Sequence, residues 1–363
     1  MRVALFGLGG VAERIHVPAL RATAGVDLVA ACEPVEERRN QMSRRFGIAA
    51  VYADAQTLLE RESPELVIVG SPPEPHAELC RLALEAGAHV LCEKPFVSTL
   101  AEADSVLETA RRTGRSIRVN NQYRYMPIYR ETKRRIGRGE FGALYFLQVW
   151  QQMFHPPQFE TNWRASLRQS TLYEFGTHAL DLVCFFFDAL PDALSAVVPQ
   201  TPHGIDSDVL VQLTLRVPGE RIATLAFNRV SHAPRRYLEM RLDCREASLR
   251  LSLGGVARAS LDWASERGRP ALRASLVRGG ESRVERGGRS RLMVRQWSPA
   301  FASAAASLLQ DFVAELQSGR ATLEPAEHAR EVLRVVFAGY ESARTGETIR
   351  LAPPPTWTAS PRS

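Results

Sequence analysis

Val3-Ala4-Leu5-Phe6-Gly7-Leu8-Gly9-Gly10-Val11-Ala12 decides the fold. An apolar run of strand length passes into glycines that open a helix. That is the context a GxGxxG/A dinucleotide fingerprint requires, with Ala12 in the third place. Gly7 permits the tight turn, and Gly9 lets main-chain N–H groups approach a pyrophosphate with no Cβ in the way. Ala12 packs close to the sheet, and the helix N-terminus adds its positive end. Glu33 stands 21 residues after Ala12, at the end of the next apolar run. A carboxylate there accepts ribose hydroxyls and repels a 2′-phosphate, so NAD is expected over NADP, with Arg38 and Arg39 close enough to admit some NADP use. The expected cofactor contacts here are Gly7, Leu8, Gly9, Gly10, Val11, Ala12 and Glu33. A glycine turn in a nucleotide-free α/β domain is the alternative on these residues alone.

Outward from this turn the chain keeps a βαβ rhythm. Val3 to Phe6, Leu28 to Cys32, Leu66 to Gly70, His89 to Cys92 and Ile117 to Val119 read as strands. Val35 to Phe46, Ala55 to Arg61, Glu74 to Ala86 and Ala101 to Arg112 read as helices, with apolar residues at three-to-four spacing. Ser71-x-x-Glu74 and Thr99-x-x-Glu102 have the capping-box pattern that satisfies free N–H donors at a helix start. After Asn121 the rhythm changes. A basic helix near Pro127 to Arg138 leads to the strand Ala143 to Gln152, a polar loop, and a helix near Thr171 to Phe187. From Ser195 to Leu253 apolar and polar residues alternate, as in an antiparallel sheet with one wetter face. Helices near Ala302 to Ser318 and Pro325 to Thr345 follow. The expected organisation is a Rossmann domain over 1–121, a substrate domain over 122–351 and a loose tail over 352–363.

Composition excludes several classes. At 363 residues with 45% hydrophobic and 24% charged residues the chain can bury large cores, and it is neither a disordered nor a repeat protein. The longest apolar stretch, Ala179 to Leu194, is broken by Asp181, Asp188, Pro191 and Asp192, so no membrane span is expected. No signal-peptide pattern precedes Val3, and a cytoplasmic location is expected. The five cysteines form no CxxC pair, which argues against a disulfide framework and against a metal site. Between Glu266 and Arg295 nine Arg face three Glu, enough to account for the whole net charge of +6. No stacking aromatic lies inside that stretch, so a solvated loop or strand edge is expected rather than a nucleic-acid surface, with an anionic partner as the alternative.

Further motifs follow in order: His16-Val17-Pro18-Ala19-Leu20, Val69-Gly70-Ser71-Pro72 with His76, Glu93-Lys94-Pro95, Asn121-Gln122-Tyr123-Arg124, Trp163-Arg164 and Glu174-Phe175-Gly176-Thr177-His178-Ala179-Leu180-Asp181. With these the chain resembles the glucose-fructose oxidoreductase, inositol dehydrogenase and rhizopine catabolism family, Gfo/Idh/MocA, over about residues 1–345. The resemblance implies an N-terminal Rossmann domain with a doubly wound parallel sheet. It also implies a C-terminal α+β domain with an open, mainly antiparallel sheet. The activity implied is hydride transfer between NAD and a hydroxyl or carbonyl carbon of a sugar, cyclitol or related polyol, in a homo-oligomer that often forms through the open sheet.

On this resemblance Lys94 is the first catalytic candidate, set past the carboxyl end of a strand where open α/β sheets place ligands. His178 is the second, able to take a hydroxyl proton. Glu174, four residues before it, stands where the family usually has Asp, as an orienting or substrate-contacting carboxylate. Ser71, Pro72, His76, Glu93, Lys94, Gln122 and Arg164 are further expected cofactor contacts, His16 and Tyr123 wall residues, and Asp181 another polar neighbour. Ser71 could equally cap its helix, and Arg164 could stack on Trp163. Ser170 and Thr171 replace family glycines, and Thr171-x-x-Glu174 is itself a capping box, which would make Glu174 structural. Gly176 suggests that a cofactor or substrate approaches the helix there. Two other activities stay open: transient oxidation with bond cleavage or epimerisation, and a non-catalytic nucleotide sensor.

Overall fold

A computed structural model describes residues 1–157, 160, 162–199, 207–232, 236–266, 269–298 and 300–352, with 255–266 and 269–278 described by backbone alone. The chain forms two compact units, Met1–Tyr125 with Phe301–Val336, and Met126–Ala300 with the chain from Phe337 on. Neither unit is one continuous stretch, because the late helical segment Phe301–Val336 belongs to the first and the chain from Phe337 to the second. Beyond Ala352, the expected tail 352–363 lies outside the described residues.

The first unit holds six strands, β1 (Arg2–Phe6), β2 (Asp27–Cys32), β3 (Ala50–Tyr52), β4 (Leu66–Val69), β5 (His89–Cys92) and β6 (Ile117–Val119), paired in parallel in the order β3-β2-β1-β4-β5-β6. This is the strand order of the dinucleotide-binding doubly wound sheet. The central strand β4 is buried throughout, as a parallel strand covered on both faces must be. The helices are α1 (Val17–Ala22), α2 (Glu36–Phe46), α3 (Ala55–Glu62), α4 (His76–Glu85) and α5 (Leu100–Thr113). Thr99 and Glu102 make the expected capping box on α5. The box expected at Ser71 is absent: α4 starts at His76, behind Pro72, Pro73 and Pro75, and Ser71 Oγ donates instead to the Pro72 carbonyl. A residue that precedes proline is pushed out of the helical region, and Pro72, Pro73 and Pro75 do this to Ser71, Pro72 and Glu74, so no helix can open at Ser71.

The second unit begins with α6 (Pro127–Gly137) and β7 (Leu144–Gln152). A π turn (Thr171–Phe175) runs into α7 (Gly176–Phe187), followed by β8 (Ala193–Val197), β9 (Leu210–Val217), β10 (Arg221–Asn228), β11 (Arg236–Cys244), β12 (Ser248–Glu266), β13 (Arg269–Arg286) and β14 (Arg289–Gln296). Helices α8 (Phe301–Gln317) and α9 (Glu324–Thr345) and the short β15 (Ile349–Arg350) complete the chain. In the first unit α8 adds Leu308, Leu309 and Phe312 to the core around Leu5, Ile68 and Leu91. The second sheet runs β14-β13-β12-β11-β7-β10-β9-β8-β15, antiparallel except for β10 on β7. Along β9 the inward residues Val211, Leu213, Leu215 and Val217 are buried while Gln212, Thr214 and Arg216 are exposed, as the alternation predicts.

The arginine-rich stretch takes the strand-edge form of its expectation: apart from Glu266 at the end of β12, the undescribed 267–268 and the Gly287–Gly288 turn, it lies in β13 and the edge strand β14. Side chains of the chain itself crowd Gly176: a Cβ there would sit 2.9 Å from Leu172 Cδ1, the end of a flexible side chain, and 3.3 Å from the Phe227 ring. The five cysteines are free and buried. Among the described residues no helix is long and apolar enough to cross a membrane.

Candidate active site

Parallel registry brings the first unit's chemistry to one edge. Cys32, Phe6, Val69, Cys92 and Val119 form a single rung across β2-β1-β4-β5-β6. The next residues, Glu33, Gly7, Gly70, Glu93 and Asn120, therefore leave the sheet side by side. Main-chain bonds continue the ladder there, Gly7 N to Cys32 O (2.8 Å), Gly70 N to Phe6 O (2.8 Å), Glu93 N to Val69 O (2.8 Å) and Asn120 N to Cys92 O (2.7 Å).

Gly7 has φ +88°, and a Cβ on it would lie 2.8 Å from Ser71 N, so both conformation and the neighbouring loop exclude a side chain. A Cβ on Gly9 would meet no protein atom within 4 Å, which leaves room for a ligand beside the main chain. The helix opens at Gly10, and Ala12 is fully buried at the start of a π turn, Ala12–His16. Glu33 is buried, and its carboxylate accepts from Leu8 N (2.9 Å) and Val35 N (3.1 Å), which pins it against the glycine loop. Arg38 Nη1 stands 3.6 Å from the same carboxylate, and Arg39 donates to the Glu33 carbonyl. A cradle open at Gly9 with a fixed acceptor at its rim fits a dinucleotide.

Glu93 is buried at the end of β5. Its carboxylate accepts from Lys94 N (3.0 Å) and Asn120 Nδ2 (2.6 Å), while His16 Nε2 stands 2.9 Å away, near enough for an ion pair although poorly angled for a hydrogen bond. Burial alone would raise the pKa of this carboxyl. His16, Lys94 and Asn120 outweigh it and hold the value at about 2. Lys94, half-buried, precedes a cis peptide to Pro95. His76 is fully buried, with Nδ1 3.0 Å from the Pro95 and Phe96 carbonyls and Nε2 3.0 Å from the Ser71 carbonyl. Burial pushes its pKa down. It thus lies beneath the loops carrying Ser71 and Lys94 and ties them together. Gln122 is buried in a short 3-10 turn, and its Oε1 has no hydrogen-bond partner among the described residues.

In the second unit Glu174 and His178, both buried, flank the junction between the π turn and α7. Neither half of the expected Thr171–Glu174 box forms. Glu174 Oε1 instead takes Arg164 Nε (2.7 Å) and Nη2 (2.6 Å), and the Arg164 guanidinium lies 4.4 Å from the Trp163 ring centre. The cap comes from a distant loop: Asp208 accepts from the N–H groups of Ser170, Thr171 and Leu172, and from Tyr340 Oη at 2.6 Å. Arg229, fully buried, donates to Ser170 Oγ (2.6 Å) and to Glu160 (3.0 Å) and stacks on Phe175.

Residues 1–121 match the family model described as "Oxidoreductase family, NAD-binding Rossmann fold", and residues 129–250 match that of the GFO/IDH/MocA C-terminal domain. The chain belongs to the Gfo/Idh/MocA oxidoreductase family. An uncharacterized oxidoreductase of Rhizobium meliloti is 30% identical over 62% of this chain and 67% of its own. D-glucoside 3-dehydrogenase of Escherichia coli (strain K12) is 32% identical over 40% of this chain, and D-apiose dehydrogenase of Paraburkholderia graminis is 29% identical over 51%. The chain spans only 41% and 49% of the length of those two relatives. Among solved structures, an oxidoreductase from Agrobacterium radiobacter in complex with NAD+, L-tartaric acid and magnesium shares the fold, with TM-score 0.80 at 18% identity over 96% of this chain and 98% of that one.

Ser170, Thr171 and Glu174, the three positions expected to differ from other Gfo/Idh/MocA members, each have a partner within the second unit. Ser170 receives Arg229, Thr171 Oγ1 donates to the Asp208 carbonyl, and Glu174 reaches Arg164. Sequence reasoning did not single out Asp208, Arg229, Glu160, Asn120 or Tyr340. Only Asn120 carried a local signal, as the residue that follows a strand.

Proposed function

We propose that this family member is an NAD-dependent dehydrogenase or reductase acting on a hydroxyl or carbonyl carbon of a sugar, cyclitol or related polyol. The observation that carries the reading is the anchored Glu93-Lys94-Pro95 turn at the carboxyl end of β5, one strand away from β4 and two from the glycine loop's β1. The names of the glucoside and apiose dehydrogenases support the substrate class.

Bound NAD would supply the hydride acceptor or donor. The ammonium of Lys94, whose main chain Glu93 fixes, is suited to polarise the substrate oxygen, and the His178 imidazole to take or return the hydroxyl proton. Glu174 neutralises Arg164 and so acts as a positioning residue for a guanidinium that can meet a substrate oxygen or the nicotinamide amide. Glu33 favours NAD over NADP. Trp150, Ile222 and Val197 are exposed on strands of the second sheet, and such apolar area on an open face suits association with a second copy.

The test is a screen of sugars, inositols, sugar acids and nucleotide sugars with NAD and NADP, read as absorbance of the reduced cofactor. Stoichiometric NADH formation with a polyhydroxylated substrate supports the proposal. Product formed without net NADH would move the reading to transient oxidation.

A further inference from the structure

The end of the arginine-rich stretch has no part in the reading above. Within the second unit it lines a groove of about 510 Å³, walled by Arg135, Glu140, Phe141, Arg286, Arg289 and Arg291. Four guanidiniums face one carboxylate. Arg135 Nε donates to Glu140 Oε2 at 2.7 Å and its guanidinium lies 5.2 Å from the Phe141 ring centre, so that pair is fixed and neutral. Arg286 is fixed as well, but by main-chain carbonyls: it donates to Glu246 O at 2.9 Å and to Glu140 O at 2.7 Å, and neither contact cancels its charge. The side chains of Arg289 and Arg291 are exposed and have no hydrogen-bond or ion-pair partner among the described residues.

Register sharpens the anomaly. Arg286 lies directly opposite Arg289 across the Gly287–Gly288 turn, and Val284 opposite Arg291. Like charges opposed across an antiparallel pair are destabilising, so this hairpin tip carries a cost that folding does not require.

We propose that the groove binds a small organic phosphate, with a phosphate or pyrophosphate group held by Arg286, Arg289 and Arg291 and the organic part lying on Leu292 and Met293. Guanidinium forks match phosphate oxygens bidentately, and one arginine already held in place lowers the ordering cost. The volume falls within the roughly 300–1,000 Å³ range of small-ligand sites. A nucleic-acid strand is disfavoured because Phe141, the one ring in the wall, is buried and offers no stacking face. Pairing of β14 with its own copy would set one arginine row beside another.

Free pyrophosphate, sugar phosphates and nucleotides share this chemistry. Calorimetric titration of the full chain at low ionic strength, with saturating NADH to occupy the glycine loop, separates them when inorganic pyrophosphate, a hexose 6-phosphate and ADP are compared. The expected result is saturable binding of the hexose phosphate or ADP, tighter than pyrophosphate. It should weaken by about tenfold or more in Arg289→Ala/Arg291→Ala, the loss expected when charge-assisted hydrogen bonds go. Arg344→Ala, an exposed arginine elsewhere in the same unit, should change nothing. NADH affinity should stay the same in both variants, and the double variant should melt no lower than the wild type, because it removes a like-charge pair. Absence of saturable binding, equal affinity in the double variant, or binding of pyrophosphate alone overturns the proposal. So does a double variant that alters sedimentation without altering ligand affinity, which would make the surface a contact between copies.

Discussion

Glu93→Gln tests how the proposed catalytic turn is held. The wild-type carboxyl sits at about 2 against an ordinary 4.5, so the folded state favours the ionised form. At roughly 1.4 kcal/mol per pKa unit, this depression corresponds to about 3 kcal/mol of stability at neutral pH. Because the folded pKa is below the unfolded one, that contribution is present above about pH 4.5 and is lost as pH falls toward 2. Glutamine can still accept from Asn120 with an oxygen that also faces His16, but it carries no charge and brings its NH2 to where Lys94 N requires an acceptor. Calorimetric melting of wild type and variant from pH 7 downward is the assay. At pH 7 the variant should melt roughly 6–12 °C lower, at about 2–4 °C per kcal/mol for a unit of this size. The two curves should converge as pH falls toward the wild-type carboxyl's value. Equal melting at pH 7, or a constant difference at every pH, would refute the electrostatic account of the turn.

Lys94→Ala should lower turnover by ~100-fold or more while NADH affinity holds, read by steady-state kinetics and fluorescence titration, since it removes a polarising group and not a cofactor anchor. Glu174→Gln should raise KM more than it lowers kcat if its task is to hold Arg164, whereas a fall in kcat alone would tie the carboxylate to His178. Asp208→Ala should destabilise the second unit by ~3 kcal/mol, because three buried N–H donors lose their acceptor. Thr171→Ala, which removes a single contact, should cost about 1 kcal/mol by the same melting assay.

What the sequence made legible follows from how local each signal is. The glycine turn, the strand that precedes it and the carboxylate ending β2 lie within one βαβ unit, so their spacing alone placed them, and the sheet's registry then set them side by side. β3 escaped because Ala50-Val51-Tyr52 is three residues long and half-buried, with no alternation to read. The pattern Thr171-x-x-Glu174 misled because a capping box is a local competitor that a tertiary contact can displace. Asp208 takes the Thr171 N–H that Glu174 would have capped, together with those of Ser170 and Leu172, from 36 to 38 residues away, and leaves Glu174 to Arg164. At Gly176 one of the two groups that crowd the position, Phe227, lies on a strand 51 residues later in the chain, out of reach of a local reading. The same contrast separates Thr99-x-x-Glu102, where no distant partner intervenes and the box forms.

Glu33, pinned by Leu8 N and Val35 N, is the residue proposed to read the ribose of NAD. Fluorescence titration of NADH and NADPH on wild type and Glu33→Ala tests it most directly. NADH should bind more tightly than NADPH to the wild type, by about tenfold or more for one repelled phosphate. The preference should shrink in Glu33→Ala, where Arg38 and Arg39 remain. Equal or tighter NADPH binding in the wild type, or an unchanged preference in the variant, would contradict it.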